Sequence, residues 1–172
     1  MPSPKKVVMI LAPDKFRDEE YREPRRILEA RGCAVTVASS HKRPIRGMLG
    51  MAVTPDATLD EVAPREFDLV VFVGGSGAQA YFDDPRARAI AVETVEAQKP
   101  LGAICIAPTI LANAGLLKGR SATVWESQAP ALRAGGARYS GRPVERDGSI
   151  ITADGPASAA AFGEELAKAL GV

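Results

Sequence analysis

The chain has 172 residues, 22 basic and 21 acidic, with 46% hydrophobic residues and a formal net charge of +1. That length buries a sizeable core without staples, and the balanced charge offers no basic block for nucleic acid or an anionic membrane surface. Two cysteines, Cys33 and Cys105, with no C-x-x-C pair and a single histidine, His41, argue against a disulfide framework or a zinc site.

The opening MPSPKKVVMILAP places a lysine pair before an apolar run. The run is short and lacks a small-residue cleavage site, so it reads as a first strand over 6–12 and not as a signal peptide. No segment approaches the roughly 18–20 apolar residues of a membrane span, and the expected location is the cytoplasm. The acidic run FRDEEY follows. Asp18 and Glu19 suit the N-terminus of a helix over 19–31, where carboxylates meet unpaired N–H groups. Propensity does not separate Glu20 from them. Pro24 lies past the first turn of such a helix and implies a later start or a kink. Ile27, Leu28 and Arg31 keep helical spacing, and Gly32 offers a C-terminal cap.

CAVTVAS, 33–39, reads as a second strand with Cys33 in the core. HKRPIR, 41–46, reads as a solvated loop, and the glycines and Pro-Asp turn of 47–59 as a small β-excursion. FDLVVFVGG, 67–75, is a buried strand running into Gly74 and Gly75. From Gly75 the sequence GGSGAQA also fits a loosened G-x-G-x-x-A dinucleotide fingerprint. It follows a later strand than that motif requires, and no strand-end carboxylate stands about twenty residues on. A turn whose backbone N–H groups approach a neighbouring site suits it better. Asp84 and Pro85 then start a helix whose inward stripe is Ile90, Ala91, Thr94 and Val95.

GAICIAPTI, 102–110, runs from strand to helix with Cys105 at the turn. Two readings stand side by side. A thiol at a helix start is favoured as thiolate, with the Ile106 N–H near any oxyanion formed at the sulfur's target. A free cysteine is also a common buried spacer. SATVW, 121–125, reads as a further strand, and PVERDGSIITA as a hairpin with Asp147-Gly148 in a type I′ turn. The last helix, 157–170, buries Phe162, Leu166 and Leu170 and spaces Glu164 and Lys168 for an ion pair. Strands alternating with helices imply one doubly wound α/β domain over 1–172, with a mostly parallel sheet covered on both faces. Ligands of such sheets collect at the carboxyl ends of the strands.

Three of these strand-end stretches, FRDEEYREP, FVGG and AICIAP, resemble the ThiJ/PfpI superfamily, with TPDATLDEV and ITADGP in weaker support. The similarity spans nearly the whole chain in the expected order. It implies a flavodoxin-like, class I glutamine amidotransferase-like sandwich with a reactive cysteine at a nucleophile elbow. By position, the resemblance makes Cys105 the nucleophile and Glu20 the acid beside its sulfur, protonated through burial. It makes Gly75 and Ile106 the backbone donors of an oxyanion hole. Gly74 and Trp125 fall at the pocket, and members are commonly homodimers or larger. Ile106 stands where PfpI-type proteases carry a histidine after the nucleophile. Trp125 stands where the deglycase-like branch has one. An apolar wall of Ile106 and Trp125 suits a small uncharged substrate; core packing is the alternative for both.

Two functions from different classes follow. One is a cysteine-dependent hydrolase or hydratase acting on a small electrophilic substrate, without the usual histidine and without a cofactor. The other is a non-catalytic, redox-responsive protein whose Cys105 oxidises reversibly. Nucleotide binding at the glycine loop is a distant third.

Overall fold

Aliphatic and β-branched runs set the sheet. In the computed structural model, which describes residues 3–172, β1 (Lys6–Ile10) is followed by α1 (Asp18–Ala30) and β2 (Ala34–Ser39). Short strands β3 (Ile45–Arg46), β4 (Ala52–Val53) and β5 (Ala57–Thr58) precede β6 (Leu69–Phe72) and α2 (Pro85–Glu96). Next come β7 (Leu101–Ile104), α3 (Pro108–Asn113), β8 (Ser121–Ala122), α4 (Ala129–Ala134) and β9 (Arg138–Tyr139). The hairpin β10 (Val144–Asp147) and β11 (Ile150–Ala153) leads into α5 (Ala159–Leu170).

Seven strands form one sheet in the order β10-β11-β7-β6-β1-β2-β5, parallel throughout except for β10 at the edge. Alternation along each strand sends Val7, Met9, Val71 and Ile151 to one face, against α1 and α5. Val8, Ile10, Val70 and Phe72 go to the other, against α2, α3 and α4. Gly102 lets α5 come close: a Cβ there would lie 2.8 Å from Leu166 and 3.0 Å from Phe162. This is the flavodoxin-like doubly wound sandwich that the sequence implies. β1 pairs with β2 on one side and with β6 on the other, so the winding reverses there and opens a crevice at the carboxyl ends of β1, β6 and β7.

Several local expectations change. Asp18 does not cap α1. Its carboxylate accepts the N–H groups of Leu49 and Met51, at 3.0 and 2.9 Å, and so holds the turn between β3 and β4. Pro24 sits inside an unbroken α1, where its backbone packs against Gly163 of α5. The 41–46 stretch is not wholly solvated, because Ile45 is buried in β3. The 47–59 excursion is real: β3 pairs with β4, and β5 extends the main sheet beside β2. The strand expected over 121–125 ends at Ala122, and Trp125 leads a 3₁₀ turn. Register places Gly148 and Ser149 at the centre of the last hairpin, and only Gly148 has positive φ. That is the sign pattern of a type II′ turn and not of type I′. Glu164 pairs with Arg31 across the α1–α5 contact at 2.6 Å, and Lys168 turns to Glu165. Asp84 caps α2 as expected, accepting from Arg86 and Ala87 N–H. Among the described residues no helix is long and apolar enough to cross a membrane.

Candidate functional site

Three strand ends meet in the crevice. β7 delivers Cys105, whose φ of 65° lies in the left-handed region. A non-glycine residue there stores on the order of 1–3 kcal/mol and persists only where its surroundings hold it. Here the Cys105 N–H donates to Ala153 O at 2.9 Å, and its carbonyl accepts the Trp125 N–H at 2.8 Å. The chain therefore turns sharply and presents the thiol, partly exposed, at the sheet's upper edge. Cys33, by contrast, is buried in the core, as expected.

α1 delivers Glu20, which is fully buried. Gly74, after β6, is the reason it reaches the cysteine. A Cβ at Gly74 would lie 2.4 Å from Glu20 Oε1, 2.5 Å from Cys105 Cβ and 2.6 Å from Ile104 O. Neither carboxyl oxygen of Glu20 has a hydrogen-bond partner of normal geometry. The Cys105 thiol and the Gly74 N–H nevertheless lie near enough to pull at its titration. Burial dominates and raises the Glu20 pKa to about 8, so the carboxyl is protonated at neutral pH.

The thiol does not behave as a helix-start thiolate. α3 has only six residues and begins beyond Ala107. Burial, followed by the charge of an ionised Glu20, pushes Cys105 up to about 12. The N–H groups of Gly75 and Ile106 face the sulfur and oppose that push. While Glu20 holds its proton, its charge is absent and those two donors act on the sulfur against burial alone. The two groups therefore titrate as a pair.

The pair opens into a cavity of about 300 Å³ whose wall includes Arg17, Met48, Ile106, Trp125 and Gln128. Ile106 is nearly buried, and Trp125 is 48% exposed. A larger cavity of about 520 Å³ lies across Trp125 and Pro156 and does not touch the cysteine. Its size does not make it the chemical site. Arg17, Met48 and Gln128 are additions to the sequence reading. Arg17 had a legible signal, its place within the FRDEEY run, whereas Met48 reaches the cavity through the turn that Asp18 pins. Met48 Sδ then accepts the Ser76 N–H at 3.5 Å.

The glycine loop serves packing. A Cβ on Gly75 would lie 2.3 Å from Arg17 N, and one on Gly77 would lie 1.7 Å from Asp14 O. The 14–17 segment fills the space that a side chain would take at both positions, while the Gly75 backbone borders the Cys105 cavity with its N–H turned to the sulfur. His41 is not part of the cavity wall. Among the described residues no three His, Cys, Asp or Glu side chains group as metal ligands.

A buried carboxyl against a strained cysteine, at the switch point of this sheet, can be compared with known proteins. The family model described as "DJ-1/PfpI family" matches residues 5–169. This chain belongs to the DJ-1/PfpI family. An uncharacterized protein of Methanocaldococcus jannaschii, MJ0967, is 39% identical over 96% of this chain and 82% of its own length. A Thermococcus kodakarensis protein named Deglycase TK1284 is 34% identical over 95% of this chain and 98% of its own. The crystal structure of a ThiJ/PfpI domain protein from Brachyspira murdochii superposes with a TM-score of 0.96 at 31% identity, covering 99% of this chain and 98% of that one. Membership accounts for the order of the three strand-end stretches along the chain.

Proposed function

We propose that this DJ-1/PfpI protein is a cytoplasmic, cysteine-dependent hydrolase or hydratase acting on a small electrophilic carbonyl or nitrile-like carbon. The supporting observation is the pairing of a left-handed, cavity-facing Cys105 with the buried carboxyl of Glu20 across Gly74. Its free cysteines suit a reducing compartment. That a Thermococcus relative carries the name deglycase is consistent with hydrolytic chemistry.

In the hydrolytic form, Cys105 gives its thiol proton to solvent water and adds as the thiolate to the carbonyl carbon, and the electron pair of the C=O bond moves to oxygen. The Gly75 and Ile106 N–H groups hold that oxyanion as the sulfur leaves their reach. Collapse expels the leaving group, which takes the proton of Glu20 and leaves a thioester. Water then attacks the thioester, Glu20 recovers a proton from it, and the thiolate departs. Glu20 in this scheme does the proton work for which relatives use a histidine. Self-association into a homodimer or larger assembly belongs to the same proposal.

One feature favours a second reading. With Ile106 and Trp125 on its wall and His41 away from it, the cavity lacks a histidine, and a protonated Glu20 could donate to an oxidised sulfur. Cys105 would then be a reversible oxidant sensor without turnover. Wild type and Cys105→Ala distinguish the two when assayed against methylglyoxal, small amides and isocyanides, with intact mass recorded after peroxide. Turnover that disappears in Cys105→Ala supports the enzyme. No turnover, with oxygen gained at Cys105 well before Cys33, supports the sensor. Equal, sluggish reactivity of the two cysteines contradicts both.

A further inference from the structure

The Cys105 cavity carries a cationic side chain that the proton chemistry above does not use. Arg17, the N-cap residue of α1, lines the wall, and its backbone N–H is fixed on Gly74 O at 2.9 Å. Its Nε and Nη2 donate to the two carboxylate oxygens of Glu19, at 2.7 and 3.2 Å. That fork sets the plane of the guanidinium and leaves Nη1 without a hydrogen-bond partner among the described residues. The guanidinium is close enough for the charges of Glu20 and Cys105 to act on it. Among the described residues no other charged side chain lines the cavity, and Glu20 beneath it is protonated at neutral pH.

A second donor stands across the cavity. The hydroxyl of Thr109 donates to Gln128 Oε1 at 3.0 Å, which fixes the amide and leaves its Nε2–H₂ free. A guanidinium and an amide donor, set against the apolar Ile106 and Trp125, form the pattern that holds a carboxylate on a small organic body.

We propose that the cavity selects small carbonyl compounds bearing a carboxylate, the 2-oxo acid class, with Arg17 as the specificity-determining residue and Gln128 as its second donor. The proposal rests on Cys105 being the reactive group. The thiol releases its proton to solvent, sulfur forms a bond to the keto carbon, the C=O electron pair goes to oxygen, and Glu20 protonates that oxygen. The product is a thiohemiketal beside an ionised Glu20, with no redox change.

Iodoacetate and iodoacetamide test this directly, because they share a leaving group and differ in charge. Both transfer their carbon to sulfur with loss of iodide, and the mass of the Cys105 peptide reports each rate. The iodoacetate-to-iodoacetamide rate ratio at Cys105 should exceed that of 2-mercaptoethanol by about tenfold, the scale of one charge-assisted contact. It should fall towards the free-thiol value in Arg17→Gln, recover in Arg17→Lys, and fall in Gln128→Glu. Arg22→Gln, on the exposed side of α1, should leave it unchanged. If Arg17→Gln does not fold, Gln128→Glu decides, since a carboxylate there must repel iodoacetate. A wild-type ratio no higher than the free thiol's, with brisk iodoacetamide reaction, overturns the anion selectivity alone. A Cys105 inert to both reagents overturns the reactive-cysteine reading and this proposal with it.

Discussion

Glu20 shows most clearly how one residue's chemistry depends on its surroundings. In sequence it is the third acid of a helix start, indistinguishable from Asp18 and Glu19. In the fold each acid has a different fate. Glu19 forks onto Arg17 at the rim, and that contact holds its carboxyl below the usual range. Asp18 holds a turn, and Glu20 is buried against Cys105 with its pKa raised to about 8. A raised folded pKa has a definite consequence for stability. The protonated carboxyl's contribution is fully present below its unfolded value of about 4.5 and is lost as pH rises through about 8. Unfolding free energies from denaturant titrations between pH 5 and pH 9 should therefore fall for wild type relative to Glu20→Gln, by an amount on the order of 3–5 kcal/mol. A constant difference between the two proteins across that range would mean that Glu20 is solvated in the native state.

At the scale of elements, the site depends on a turn that carries none of its proton chemistry. The β3–β4 turn is short, glycine-containing and partly exposed, with Leu49 63% accessible. It stays in place because two of its N–H groups point at one buried carboxylate, and through it Met48 reaches the cavity. A Cβ on Gly47 would fall 2.2 Å from Asp18 Oδ1, so the turn and the helix start fit as one unit. Asp18→Ala should leave both donors unpaired and cost about 2–4 kcal/mol, given hydrogen bonds to a charged acceptor. A lower denaturant midpoint and faster proteolysis within 47–51 would register the loss. The helix and strand pattern was legible because it rests on local periodicity and on punctuation such as Gly32, Asp84 and Pro85. The partners of Asp18 and Glu164 were not legible, because each was chosen by packing between segments far apart in sequence. Trp125 escaped its expected strand for the same reason: its N–H is taken by Cys105 O, across the sheet's edge.

At the scale of the whole molecule, the order β2-β1-β6-β7 determines that FRDEEY, FVGG and AICIAP meet. Each stretch leaves a neighbouring strand at its carboxyl end, so residues about 85 apart in sequence become neighbours. That convergence was readable from strand alternation together with the family resemblance. The sign of the thiol's titration was not, because it depends on how deeply the turn is buried and on the state of Glu20. A homodimer or larger assembly is part of the proposed function, and sedimentation equilibrium should return at least twice the chain mass at micromolar concentration. A single-chain mass at those concentrations would remove that part of the proposal and leave the Cys105 cavity as it stands.

The central claim is that Cys105 and Glu20 act as one titrating, reactive pair. Its most direct measurement is the rate of Cys105 carbamidomethylation against pH, in wild type and in Glu20→Gln. Wild type should accelerate in two steps, the first near pH 8 as the pair loses its first proton and the second well above it. Glu20→Gln should lose the first step and show a single rise. Superimposable profiles would contradict the account and reduce Glu20 to a buried helix residue with no hold on the sulfur.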